Sequence, residues 1–364
     1  MRCPAAQCLS RLLPAALAGA AAIAPLLAQV PAPAAPRAPQ PPFDRLLVAN
    51  KAEHTLSIFD PAEKRELARL PTGAGPHEVA VAPSGRLAVV SDYGEQKPGA
   101  TLTVVDLVDT KVLRTIALTW RDGEGEAAQE RTLLRPHGLH FVAAAQVAVT
   151  SESARRLAIV DVDTGEVLRT VSTPQTTMHM VGAGGDPHLL AATSVREGSV
   201  ALFDLREATV PPPVVVPTGA GAEGLAVHPT TGDVWVGNRG ANTLSIVDRA
   251  AGKVVKELPT GDFPFRVTFT ADGAFALVSC AEGGEVQIFD AGKRELVAAI
   301  DIHGDSSELS AMPMGLCVDP DGKRCYVACG RGEFIAVLDL ERRAVIHRIP
   351  AGRGPDGIAF ARVR

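Results

Sequence analysis

The chain has 364 residues, 36 Lys and Arg against 41 Asp and Glu, and a formal net charge of −5. This acidic balance excludes a broad basic face for non-specific duplex binding, which needs many cations set against phosphates, though it leaves room for a local basic groove. Hydrophobic residues at 46% and charged residues at 21% exclude global disorder, while 4% aromatic content with 34 Gly and 28 Pro points to many short elements joined by turns.

At the start, Arg2 and Arg11 precede an apolar run from Leu12 to Leu27, and Ala28 offers a small residue for cleavage. That pattern predicts a secretory signal peptide over residues 1–28. The run is shorter than the ~20 residues a membrane span needs and is interrupted by Pro14 and Pro25, so no transmembrane segment is expected. Residues 29–43 are rich in Pro and Ala and read as a stiff linker. The expectation is an exported protein, periplasmic or secreted.

From residue 44 to 364 one pattern recurs seven times: a short β-prone run ending in Asp, at Asp60, Asp106, Asp161, Asp204, Asp248, Asp290 and Asp339. The spacings are 46, 55, 43, 44, 42 and 49 residues, a period that belongs to propellers. Around each Asp lie a following β-rich run, a preceding one such as Val234–Asn238, and an earlier start marked by Gly or Pro such as Pro76–Val81. Four strands per unit, A to D, and seven units predict an all-β, seven-bladed β-propeller. The chain begins on a B strand at 45–50 and ends on a lone A strand at Pro355–Phe360, so pairing of the two ends closes the ring.

The B-strand endings Tyr326–Cys329, Val48–Asn50 and Val236–Asn238, the Thr-Leu-Ser-Ile runs at Thr55–Asp60 and Thr243–Asp248, and the start Pro355–Phe360 resemble the YVTN-repeat (YncE-like) β-propeller family. The resemblance covers the whole mature chain. It implies the seven-bladed fold and export, and, because some members bind single-stranded DNA, a nucleic-acid or protein interaction platform as one function. Propellers also host lactonases, lyases, electron-transfer subunits and binding modules, so the fold does not choose among them.

A and B strands are antiparallel, so A starts and B ends share one mouth of the central channel. The residue after the Pro slot of each A strand reads His77, His137, His179, Glu223, Phe265, Met314 and Asp356. Asp356–His77–His137–His179–Glu223 is then a continuous polar arc, closed by an apolar one. The B ends read Asn50, Asp92, Ser151, Ser194, Asn238, Cys280 and Cys329. A histidine in this slot is common in the family, where it caps a loop carbonyl or holds water, and that structural role stands beside a functional one. The first functional reading is non-enzymatic binding of a small molecule or protein by His77, His137, His179, Glu223, Asp356, Asn50, Asp92, Asn238, Arg239 and Arg266. The alternative is a metal-dependent enzyme in which His77, His137 and His179 hold a divalent ion, Zn or Cu, and Glu223 or Asp356 acts as further ligand or general base. An interaction platform for protein or single-stranded DNA, using mouth arginines, is the third.

An insertion at 119–135, opened by Trp120 and Arg121, reads as a solvated loop or a lid, and a second at Gly304–Pro313 reaches the mouth beside Met314. His140 is expected on the opposite strand face from His137, in blade packing, and Trp235 between blades. Cys317 and Cys325 are expected to face each other across the Asp319–Gly322 hairpin and form a disulfide, leaving Cys280 and Cys329 free or metal-associated. No Gly-rich phosphate loop, Ser/His/Asp signature or haem-attachment motif is present.

Overall fold

A computed structural model describes residues 42–123, 128–207, 209–303 and 310–364. The expected signal peptide, most of the linker and residues 304–309 of the second insertion lie outside them.

The recurring Asp is a turn device. In blade 1, Asp60 ends strand β2 (Thr55–Asp60), and its Oδ1 accepts the backbone N–H groups of Ala62 and Glu63 at 2.9 and 3.0 Å. Asp106, Asp161, Asp204, Asp248, Asp290 and Asp339 make the corresponding bonds. Each such Asx turn gives the backbone a local partner and sends the chain into the outer strand. Burial then falls outward. In blade 5 the second strand, β19 (Val234–Asn238), is wholly buried, whereas the outermost, β21 (Lys253–Pro259), is largely exposed.

Among the described residues, seven four-stranded antiparallel sheets result, accompanied by one two-stranded hairpin. β1 (Phe43–Asn50) pairs with β30 (Pro355–Val363) from Phe43↔Val363 to Asn50↔Pro355, so the two ends of the fold complete blade 1 as expected. Seven apolar clusters form the core, one for each seam between neighbouring blades. Trp235 lies in the seam between blades 5 and 6. At ~1.5–3 kcal/mol for each fully buried aliphatic or aromatic side chain, these seams dominate stability. Among the described residues no helix is long and apolar enough to cross a membrane.

Two expectations change. The register pairs Cys317 with Tyr326 and Val318 with Cys325, one residue away from the expected pairing. Alternation therefore turns the two thiols to different seams, Cys317 toward blade 1 and Cys325 toward blade 6. The Cys317–Cys325 disulfide is not formed; the four cysteines among the described residues are free thiols, and burial pushes Cys280 and Cys329 up to about 12. The described part of the first insertion is a hairpin, β8 (Thr119–Asp122) with β9 (Gln129–Thr132), lying along the outer strand β13 (Val167–Ser172) of blade 3. There Arg156 bonds Asp122 at 3.3 Å and sits 5.3 Å from the Trp120 ring.

Candidate functional site

The mouth is built by one backbone irregularity repeated in every blade. The first residue of each inner strand pairs with the last residue of the B strand, and the register then slips by one. This bulge re-aims the two residues after the first, as such insertions do. A hydroxyl on the B strand holds it: Ser91, Thr150, Thr193 and Ser279 accept the N–H groups of Glu78, Gly138, Met180 and Arg266 at 3.0, 2.8, 3.1 and 3.0 Å. Thr193 and Ser279 also donate to Glu223 O and Met314 O in the next blade, at 2.6 and 2.7 Å. The second bulge residue is Gly in four blades because the neighbouring strand is too close for a side chain. A Cβ on Gly224 would lie 2.3 Å from Phe265 O, and one on Gly315 2.2 Å from Asp356 O. Glu78 and Arg266 occupy that slot in blades 2 and 6, and their side chains form an ion pair across the channel.

The first slot carries the predicted arc, and its members touch in sequence. The rings of His77 and His137 have centroids 4.1 Å apart, and those of His137 and His179 are 3.6 Å apart. His179 Nε2 lies 2.6 Å from Glu223 Oε1 and its Nδ1 2.6 Å from Glu152 Oε1. At the other end, Lys51 Nζ donates to His77 Nε2 at 2.8 Å, and His77 Nδ1 lies 3.2 Å from Asp356 Oδ2 without hydrogen-bond alignment. Arg239 and Arg266 bond Glu223 at 2.7 and 3.2 Å.

The charges along this column are uneven. Burial alone would strip a proton from His179, but the charge of Glu223 and the bonds to both carboxylates outweigh it and raise the imidazole to about 9. Burial likewise disfavours the Glu223 anion, yet His179, Arg266 and Arg239 hold its carboxyl down at about 2. His137, 0% exposed, is pushed well below the ordinary histidine value by burial and by its two histidine neighbours; neither of its ring nitrogens has a partner.

Other expected contacts are placed differently. Asn50 Nδ2 donates to Thr55 and Ser57 at 3.0 and 2.8 Å, and Asn238 Nδ2 to Thr243 and Ser245 at 3.0 and 2.9 Å. Asp92 accepts from Thr101 and Thr103, and burial pushes it up to about 6. These three buried side chains tie B–C hairpins. It is the next residue in each case that joins the mouth, Lys51, Tyr93 and Arg239, as Glu152 does after Ser151. Tyr93 donates to Glu152 Oε2 at 2.5 Å and packs its ring edge-on to His77 and His137 at 5.1 and 5.6 Å. The B ends were readable; the turn of one residue beyond them was the missing signal.

The chain shares its fold with a solved protein of unknown function. That structure, the crystal structure of a functionally unknown protein from Desulfotomaculum acetoxidans DSM 771, superposes with a TM-score of 0.67 at 13% identity, covering 87% of this chain and 98% of the other. No family model and no curated protein matches the chain. Identity this low extends the likeness to the propeller alone.

A cavity of about 520 Å3 opens at the mouth, lined by Lys51, Tyr93, Glu95, Met312, Met314 and Asp356 among others. Two groups of possible metal-ligand atoms also gather here, His77–Glu78–His137 and His137–Glu152–His179, with the atoms of each group within 4.8 Å of one another.

Proposed function

We propose that the protein is an exported propeller that binds a small polar molecule at the channel mouth without transforming it. The observation that carries this reading is Asp356. Its carboxylate is 2% exposed and borders the 520 Å3 cavity; Lys51 Nζ lies 3.7 Å from Oδ2, but neither oxygen accepts a hydrogen bond. A buried acceptor without a hydrogen bond costs ~1–3 kcal/mol, which N–H or O–H groups of a ligand would offset. The cavity is in the usual ~300–1,000 Å3 range for small-molecule sites, and its methionines supply the apolar wall such sites need. A thermal-shift screen with small amines, polyols and amino acids tests it in wild type and in Met314→Trp, which fills the cavity and spares the polar arc. Hits should raise the melting temperature of wild type only; hits retained by Met314→Trp place binding elsewhere.

The second reading is a Zn or Cu centre in the same channel, favoured by the buried, unpartnered nitrogens of His137. Elemental analysis after gentle purification should then find near-stoichiometric metal, and metal-free protein contradicts it. Single-stranded DNA binding rests on the family resemblance alone, and salt-dependent oligonucleotide titration tests it. Export to the periplasm or medium requires cleavage near Ala28; an intact mass retaining residues 1–27 on soluble protein would refute it.

A further inference from the structure

His137 borders two possible ligand groups, and they are not equivalent. In the first, Lys51 donates to His77 Nε2, and Glu78 is paired with the Arg266 guanidinium. Two cations therefore flank any ion placed between His77, Glu78 and His137.

In the second group, the outward atoms are already supported. His179 Nε2 faces Glu223 at 2.6 Å, and Glu223 is itself held by Arg239 and Arg266. Glu152 Oε2 accepts the Tyr93 hydroxyl. A carboxylate on the far nitrogen of a histidine, and a donor on the free oxygen of a ligating carboxylate, are the outer contacts that orient metal ligands and tune their basicity. What remains facing inward is His179 Nδ1 and Glu152 Oε1, 2.6 Å apart around a single proton, with the His137 ring stacked 3.6 Å from that of His179.

We infer, resting on the metal reading above, that a divalent transition metal is held by His137, Glu152 and His179, in place of that proton. Glu223 and Tyr93 are positioning residues in this arrangement, and His77 is not a ligand. Two imidazoles and one carboxylate with a fourth position open form a donor set suited to Zn2+. The assignment replaces the three-histidine set expected from sequence, and it gives Glu223 an orienting role instead of a ligating or proton-accepting one.

Chelator-dialysed full-length mature protein, titrated with Co2+ and then with Zn2+ against a chromophoric chelator, tests the ligand set. Wild type should bind a single Co2+ with the intense visible bands of a four-coordinate ion, and Zn2+ should displace it. Glu152→Gln, nearly isosteric, and His179→Gln should each lower Zn2+ affinity by more than ~100-fold, beyond the roughly 10–100-fold expected for Glu223→Gln or Tyr93→Phe as outer contacts. His77→Gln should leave affinity unchanged. Far-ultraviolet circular dichroism of each apo variant separates lost ligation from lost fold; if His179→Gln does not fold, Glu152→Gln carries the test. Binding lost in His77→Gln and kept in Glu152→Gln overturns this ligand set while leaving the metal reading standing. Wild type that takes up neither Co2+ nor Zn2+ ends both. Uptake unchanged in every variant is an adventitious surface ion and overturns the assignment as well.

Discussion

The two arcs of the mouth stand on the same backbone and have little else in common. From blade 1 to blade 5 the first slot carries Asp356, His77, His137, His179 and Glu223, all nearly or wholly buried. In blades 6 and 7 it carries Phe265, which lies 4.2 Å under the Arg266 guanidinium, and Met314, which faces the cavity. The bulge, the hydroxyl that braces it and the close strand approach occur in both arcs. Backbone regularity thus makes the ring, and side-chain irregularity makes the site. A buried polar column is also a poor way to stabilise a ring that seven apolar seams already hold, because desolvated charges rarely gain over well-packed apolar residues.

Substitutions that treat the arcs alike or unlike can break this comparison. The largest effect is expected at Arg266. Arg266→Met leaves Glu78 without its cross-channel partner and removes one of the cations on Glu223, and it should cost ~3–5 kcal/mol in urea unfolding. Met314→Leu in the apolar arc should cost less than ~1.5 kcal/mol. Equal losses would mean that the column is not electrostatically coupled.

The next effect is on pH dependence in metal-free protein. The His179 imidazole is raised to about 9 in the fold, against ~6.5 in an unfolded chain. Its stabilising contribution is therefore fully present below ~6.5 and is lost as pH rises through about 9. Urea midpoints should fall across that window in wild type and stay flatter in His179→Gln; parallel profiles would remove the charged His179 from the account.

Backbone crowding should ignore the difference between arcs. Gly224→Ala and Gly315→Ala place a Cβ 2.3 and 2.2 Å from a neighbouring carbonyl oxygen, and each should cost about 2 kcal/mol. A large disparity between them would show that the bulges are not equivalent. The smallest effect belongs to Tyr93→Phe, which removes one hydrogen bond to Glu152 and should lower stability by about 1 kcal/mol.

Much of this was legible in the sequence because it depends on periods longer than one residue. The forty-odd-residue spacing of the Asp turns revealed the blades, and the A starts, five of the seven marked by Pro, revealed the arc from Asp356 to Glu223. What escaped depends on a shift of one. Asn50 and Asp92 are buried in hairpins, while Tyr93, turned to the opposite face by strand alternation, and Lys51, in the turn just past β1, face the mouth. The same single step separates Cys317 from Cys325. Glu78 was hidden for a related reason: an A-strand bulge, invisible in hydrophobic alternation, turns a second residue toward the channel.

The central claim, that the mouth holds a small molecule, is tested most directly by native mass spectrometry of the protein released gently from an exporting host. The account predicts an added mass of a small organic molecule on wild type that is absent from Met314→Trp, with both chains folded. A wild-type spectrum showing only the bare chain, or the same added mass on Met314→Trp, would contradict it.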